Sequence, residues 1–147
     1  MTPAPATSRR GGADRAVPTS TRGLLARSEA ELVAATLASD PDERFLHAHL
    51  AAVRAGAALL AVTGRPSRRG LRTVWDMVAA VAPELAGWTA LFADNASARS
   101  AIEAGRTGVV DDARADRAGD AAEAFHEAVR ARIGLTPSQP SLVRTAS

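Results

Sequence analysis

The sequence predicts an all-α protein, an antiparallel up-and-down bundle of four to five helices, and three observations carry that prediction. Alanine alone supplies 35 of the 147 residues, and Ala, Leu, Arg and Glu, all strong helix formers, dominate the middle of the chain. Tyrosine is absent and Phe and Trp together number five, whereas a sheet protein draws on more β-branched and aromatic residues. Apolar residues recur at alternating spacings of three and four, the period of a helix face rather than of a strand. A chain of 147 residues suits one core and is too short for two well-buried ones.

Residues 1 to 22 mix Pro, Ser, Thr, Gly and Arg without apolar periodicity and read as a disordered arm. The bundle then occupies residues 23 to 134, and residues 135 to 147, which include Pro137 and Pro140, read as a disordered tail. A first helix begins near Thr21 or Gly23 and runs to about Ala38, with Leu25, Leu32, Val33 and Leu37 as its apolar side. Ser39-Asp40-Pro41 ends it and starts the next: Asp40 suits an N-cap, Pro41 the first helical position, and Glu43 a capping box.

The second helix extends from Pro41 to about Thr63. Its Leu46, Leu50, Val53, Ala57 and Leu60 form a bundle seam, which Phe45, Ala52, Gly56 and Leu59 widen, and the small residues let another helix approach closely. Gly64 to Gly70 makes a loop. A third helix starts at about Leu71 and carries Val74, Val78, Val81 and Leu85, with Pro83 either kinking it or opening a new one. Leu85, Trp88, Phe92 and Ile102 continue the apolar face to Ala104, where Gly105 closes the helix. The last helix runs from about Asp111 to Ile133 and stops at Gly134; it buries Ala121, Phe125, Val129 and Ile133 and turns His126 to solvent. Trp75 and Trp88 read as core anchors or as part of a dimer interface.

All 18 basic residues are arginine, and the formal net charge is only +2. Residues 1 to 22 carry +3 and residues 135 onward +1, so the folded segment is itself acidic by two charges. A broad positive field that gathers nucleic acid is therefore absent from the bundle, and any such contact is local. One local candidate is the loop GRPSRRGLR, in which Arg65, Arg68, Arg69 and Arg72 fall together without a carboxylate. They form either a phosphate-binding cluster or a solvated loop. No aromatic residue interleaves with them, so base stacking is not indicated.

The absence of cysteine removes disulfides, thiolate metal sites and cysteine nucleophiles together. No apolar run approaches the roughly 20 residues that span a bilayer, and no export signal is evident, so the expected location is cytoplasmic and away from membrane. Asp111, Asp112, Asp116 and Asp120 open the last helix, where carboxylates suit the positive dipole end; lacking His partners, they do not read as a metal site. No phosphate-binding glycine loop, nucleophile elbow or zinc-protease motif occurs, and no cofactor is implied.

One constellation bears chemistry. The second helix opens with Asp42-Glu43-Arg44-Phe45-Leu46-His47-Ala48-His49, and Arg44 and His49 form an R-x4-H pair. An imidazole that exchanges protons near neutral pH, with a guanidinium that clamps phosphate, is the minimum equipment for metal-independent RNA cleavage. On an unbroken helix the pair stands roughly 140° apart and does not converge within one chain. His47 shares a face with Arg44, and Arg54 continues it. His49 leans toward the Phe45, Ala52 and Gly56 face, where a core histidine with one hydrogen bond is the competing reading. Arg44 is equally suited to a local ion pair with Asp40 or Glu43.

The run from Arg44 to Leu60, together with Val74-Trp75, Val81-Ala82-Pro83-Glu84-Leu85 and Trp88, resembles the small stand-alone HEPN proteins of actinobacteria over about residues 24 to 134. The resemblance implies a helical bundle, often dimeric. Many HEPN proteins are metal-independent ribonucleases whose R-x4-6-H motif meets its copy across a dimer interface. Others bind nucleotides or RNA, or are non-catalytic partners of nucleotidyltransferases in toxin-antitoxin pairs. By that resemblance Arg44 and His49, or His47, are the catalytic residues at a homodimer site. Arg54, Arg65, Arg68, Arg69 and Arg72 are then the RNA-binding set, and an antitoxin or nucleotidyltransferase is a candidate partner. The alternative is a non-catalytic interaction module docking through the Ala-rich second helix and Trp88.

Overall fold

A computed structural model describes residues 17–67 and 69–135. Within them the chain forms α1 (Thr19–Leu37), α2 (Pro41–Thr63), α3 (Val74–Val81), a 3-10 turn at Pro83–Leu85, α4 (Ala86–Glu103) and α5 (Asp112–Ile133), with no strand among the described residues. The all-α expectation holds. The central element is α2, packed chiefly on α1 and α5, with α3 and α4 on a third side. The arm of residues 1–16 and the tail from 136 onward lie outside the described residues, as does Arg68.

Local chemistry fixes the helix ends. The Asp40 side chain accepts from the Glu43 N–H and Pro41 fills the first turn of α2. Thr73 and Asp76 form a reciprocal capping box, so α3 begins at Val74 rather than at Leu71. Pro83 opens a new element, and Gly105 (φ +92°) and Gly134 (φ +94°) end α4 and α5 in the left-handed region. At the other end of the chain, α1 begins at Thr19, inside the stretch assigned to the arm. Val17 and Thr21 are buried, and the Thr21 hydroxyl donates to the Ala58 carbonyl at 3.3 Å, which ties this turn to α2.

Phe45, Phe92 and Phe125 are fully buried; Phe92 and Phe125, with centroids 5.3 Å apart, both meet the Trp75 ring, and Phe45 stacks on His49. Gly56 lets α3 approach: a Cβ there would lie 3.3 Å from Val74 Cγ2 and 3.4 Å from Val78 Cγ2. This is the close approach that the small residues predict.

Four further expectations are corrected. Leu46, Leu50, Val53 and Ala57, read as the bundle seam, are only half-buried, and of that seam only Leu60 lies deep. The buried face is instead the arc of Phe45, Ala48, Ala52, Ala55 and Leu59, because α1, α5 and α3 crowd that side. Val33 and Leu37, placed on the apolar side of α1, are 56% and 79% exposed. His126 is 1% exposed rather than solvent-facing, because α5 packs on α1 as well as α2. Finally, α2 is long and apolar enough to cross a bilayer by length and composition, contrary to the sequence reading, yet 56% of its most apolar window is buried inside the bundle.

Candidate functional site

The two histidines of α2 sit two positions apart, about 200° around the helix, and therefore enter different environments. His49 faces inward and is 2% exposed. Its ring stacks on Phe45 at 6.4 Å between centroids and meets Trp75 and Phe92 edge-on at 5.8 and 6.3 Å. Its Nδ1 has no hydrogen-bond partner. Burial, and secondarily the nearby Arg99, pushes its pKa down to about 4, so the ring is neutral at pH 7.

His47 faces outward and is one-third exposed. Its Nδ1 lies 2.7 Å from Glu31 Oε1 on α1, and the second oxygen of Glu31 lies 3.7 Å from Arg54 Nη2, two turns further along α2. A carboxylate on Nδ1 fixes the ring orientation and leaves Nε2 as the nitrogen for proton exchange. Glu31 thus gathers His47 and Arg54 into one surface cluster. The sequence showed His47 and Arg54 on one side of α2; Glu31 carries no local signal, because it lies on a different helix.

Arg44 is committed elsewhere. Its guanidinium donates to Asp112 Oδ1 at 3.0 Å and Asp116 Oδ1 at 3.2 Å on α5, and to the Ser39 carbonyl at 3.0 Å. The local ion pair with Asp40 or Glu43, the alternative to a catalytic role, does not form: Asp40 caps α2, and the tertiary fold supplies the carboxylates. The Asp112 hydrogen bond is the foremost cause holding the guanidinium firmly charged. Arg44 and His49 therefore do not converge within one chain.

Residues 35–130 match the sequence profile of the SAV_6107-like HEPN family. The chain belongs to the HEPN family. No curated protein and no solved structure matches it. In this HEPN protein the remaining arginines proposed from sequence spread along the bundle. Arg65, Arg69 and Arg72 are exposed in the α2–α3 loop, where Arg65 touches the Met77 sulfur at 3.9 Å. That loop leaves α2 at Gly64, about 25 Å along the axis from His47, and returns to it at Val74 beside Gly56. Among the described residues no contact joins the loop arginines to His47 within one chain.

Two buried polar features of this HEPN bundle escaped sequence reading. Asp42 accepts from the Val109 and Val110 N–H groups at 3.0 Å each, which holds its carboxyl below the usual range and pins the α4–α5 connection to α2. Ser28 donates to the Ala51 carbonyl at 2.8 Å and lies 2.8 Å from His126 Nδ1. Since its single proton goes to Ala51, the hydroxyl accepts from His126, which assigns the Nδ1–H tautomer. Among the described residues no group of three or more His, Asp or Glu side chains is arranged to hold a metal ion.

Proposed function

We propose that this HEPN protein is an RNA-directed homodimer in which His47, oriented by Glu31, is the proton-transfer group and Arg54 the phosphate clamp. The observation carrying this reading is the 2.7 Å contact of Glu31 with His47 on an accessible surface, set against the sealing of His49 among aromatic rings. The half-buried stripe of Leu46, Leu50, Val53 and Ala57 runs beside that cluster and supports α2 as the face that meets a second copy.

An antiparallel two-fold pairing about the middle of that stripe sets position 47 of one copy against position 56 of the other. Each His47 then lies about 3 Å along the axis from the other copy's Arg54. The α2–α3 loop of the second copy leaves its helix at Gly64, opposite the N-terminal end of α2, and carries Arg65, Arg69 and Arg72, with Arg68 in sequence, back toward the level of His47, where RNA at that residue would pass. His47 takes the proton of the 2′-hydroxyl as its oxygen attacks phosphorus, while the other copy's Arg54 holds the phosphoryl oxygens. The same imidazole, now protonated, gives that proton to the departing 5′-oxygen, leaving a 2′,3′-cyclic phosphate and a 5′-hydroxyl.

The test is incubation of the purified chain with a pool of cellular RNAs in EDTA, reading the fragment ends. Cyclic phosphates from wild type that vanish in Leu50→Glu, along with the dimer in light scattering, support the reading. A monomeric wild type or unchanged RNA contradicts it.

A second reading has its own support. Arg44 is absorbed by an ion bridge between α2 and α5, and His49 by the core, so the R-x4-H pair is accounted for by the fold alone. That favours a non-catalytic helical module docking on another protein, an antitoxin or nucleotidyltransferase among them. It predicts a stable complex whose formation is indifferent to His47→Ala.

A further inference from the structure

Between α1 and α5 lies a cleft of about 660 Å³ whose lining includes neither His47 nor Glu31. Arg44 of α2 also lines it. Its two walls differ in chemistry. Leu32, Ala35 and Thr36 of α1 make one, with exposed Val33 and Leu37 adjoining them in sequence. Asp116, Asp120 and Glu123 of α5 make the other. Arg44 neutralises Asp116, whereas Asp120 and Glu123 form no ion pair among the described residues.

Between the acidic residues, Gly119 stands in the middle of α5, and a Cβ placed on it would have nothing within 4 Å. Glycine weakens a helix interior relative to alanine, and here no neighbour requires it. What its missing side chain does supply is room in the cleft.

We infer that this cleft docks an arginine-bearing amphipathic helix of another protein. Asp116, Asp120 and Glu123 recur at intervals of four and three, a ladder of one sign about 10 Å long. A helix lying along α5 presents arginines with the same period, each able to meet a carboxylate through two parallel N–H donors. Its adjoining apolar stripe covers Leu32 and Ala35 and reaches Leu37 at the rim. The occupant is cationic because the wall is acidic and the folded segment carries net negative charge. This surface is separate from the Glu31–His47 cluster and stands or falls without it.

The test uses the full chain and a fluorescent synthetic helix of about 18 Leu, Ala and Arg residues, with the arginines on one stripe. A peptide of the same composition with its arginines spread around the helix is the control. Fluorescence anisotropy is expected to show binding of the striped peptide only. Binding is expected to weaken about tenfold or more in Asp120→Asn/Glu123→Gln and to disappear in Gly119→Gln, which fills the cleft. Gly119→Ala raises the melting temperature yet weakens binding, so a lost fold cannot explain the result. Equal binding of both peptides, or binding unchanged by Gly119→Gln, overturns the inference. So does a wild-type dimer that Gly119→Gln breaks, which would make a second copy the occupant. Tighter binding in Arg144→Glu also overturns it, making the chain's own tail the occupant.

Discussion

His47 and His49 point about 200° apart on one helix, and the fold gives them opposite roles: His47 is held at the surface by Glu31 at 2.7 Å, while His49 is enclosed by Phe45, Trp75 and Phe92. Two histidines that look interchangeable in the sequence therefore answer to different physics, one to a carboxylate and one to desolvation.

His49 makes stability fall with acid. Its folded pKa, about 4, lies below the unfolded value of 6.5, so the unfolded chain binds the extra proton between those limits. Stability from this residue is complete above pH 6.5 and is lost as pH falls toward 4, by about 3 kcal/mol in all. Chemical denaturation across that range is expected to show the slope, and His49→Phe, which keeps a ring in the cage, to flatten it.

Ser28→Ala is expected to destabilise the bundle by about 1–3 kcal/mol, because it strands the His126 Nδ1–H in a buried place and removes a second bond from the Ala51 carbonyl. Urea denaturation measures the loss. Ser28→Thr keeps the hydroxyl, so a loss of the same size there would point to the methyl group and to crowding instead.

Removing Arg44 leaves Asp112 and Asp116 facing each other without their cation. Arg44→Ala is expected to lower the melting temperature, and Arg44→Ala/Asp116→Asn to recover part of it by easing the repulsion. Thermal melts in low and high salt check this, with the single variant gaining most from salt.

On the α2 stripe, Leu50→Glu is expected to leave the fold intact, since the side chain is half-exposed, and to convert a dimer to a monomer. Circular dichroism and light scattering on the same sample separate the two effects. Loss of helix signal along with the dimer would place Leu50 in the core instead.

The helices themselves were readable because their signals are local: Asp40-Pro41 at the start of α2, Gly134 after α5, and apolar residues at helical spacing. The facing of α2 was not, since an Ala-rich helix is apolar nearly all round and the periodicity of Leu46 and Leu50 marks a stripe without saying which side the neighbours take. Much the same holds for the site. Arg44, His47 and His49 stand out by residue type, but their partners Glu31, Asp112 and Asp116 lie on other helices, and His126 is buried by a helix 98 positions away from it in contact terms, at Ser28. Only tertiary packing decides such pairings.

The most direct measurement compares the RNA-cleavage rate, in EDTA, of wild type, His47→Ala and His49→Phe, each held well below its melting temperature. The account predicts that His47→Ala loses about 10²-fold or more, as removal of a general acid–base group does, while His49→Phe stays close to wild type. Loss of activity in His49→Phe with His47→Ala unaffected would contradict it.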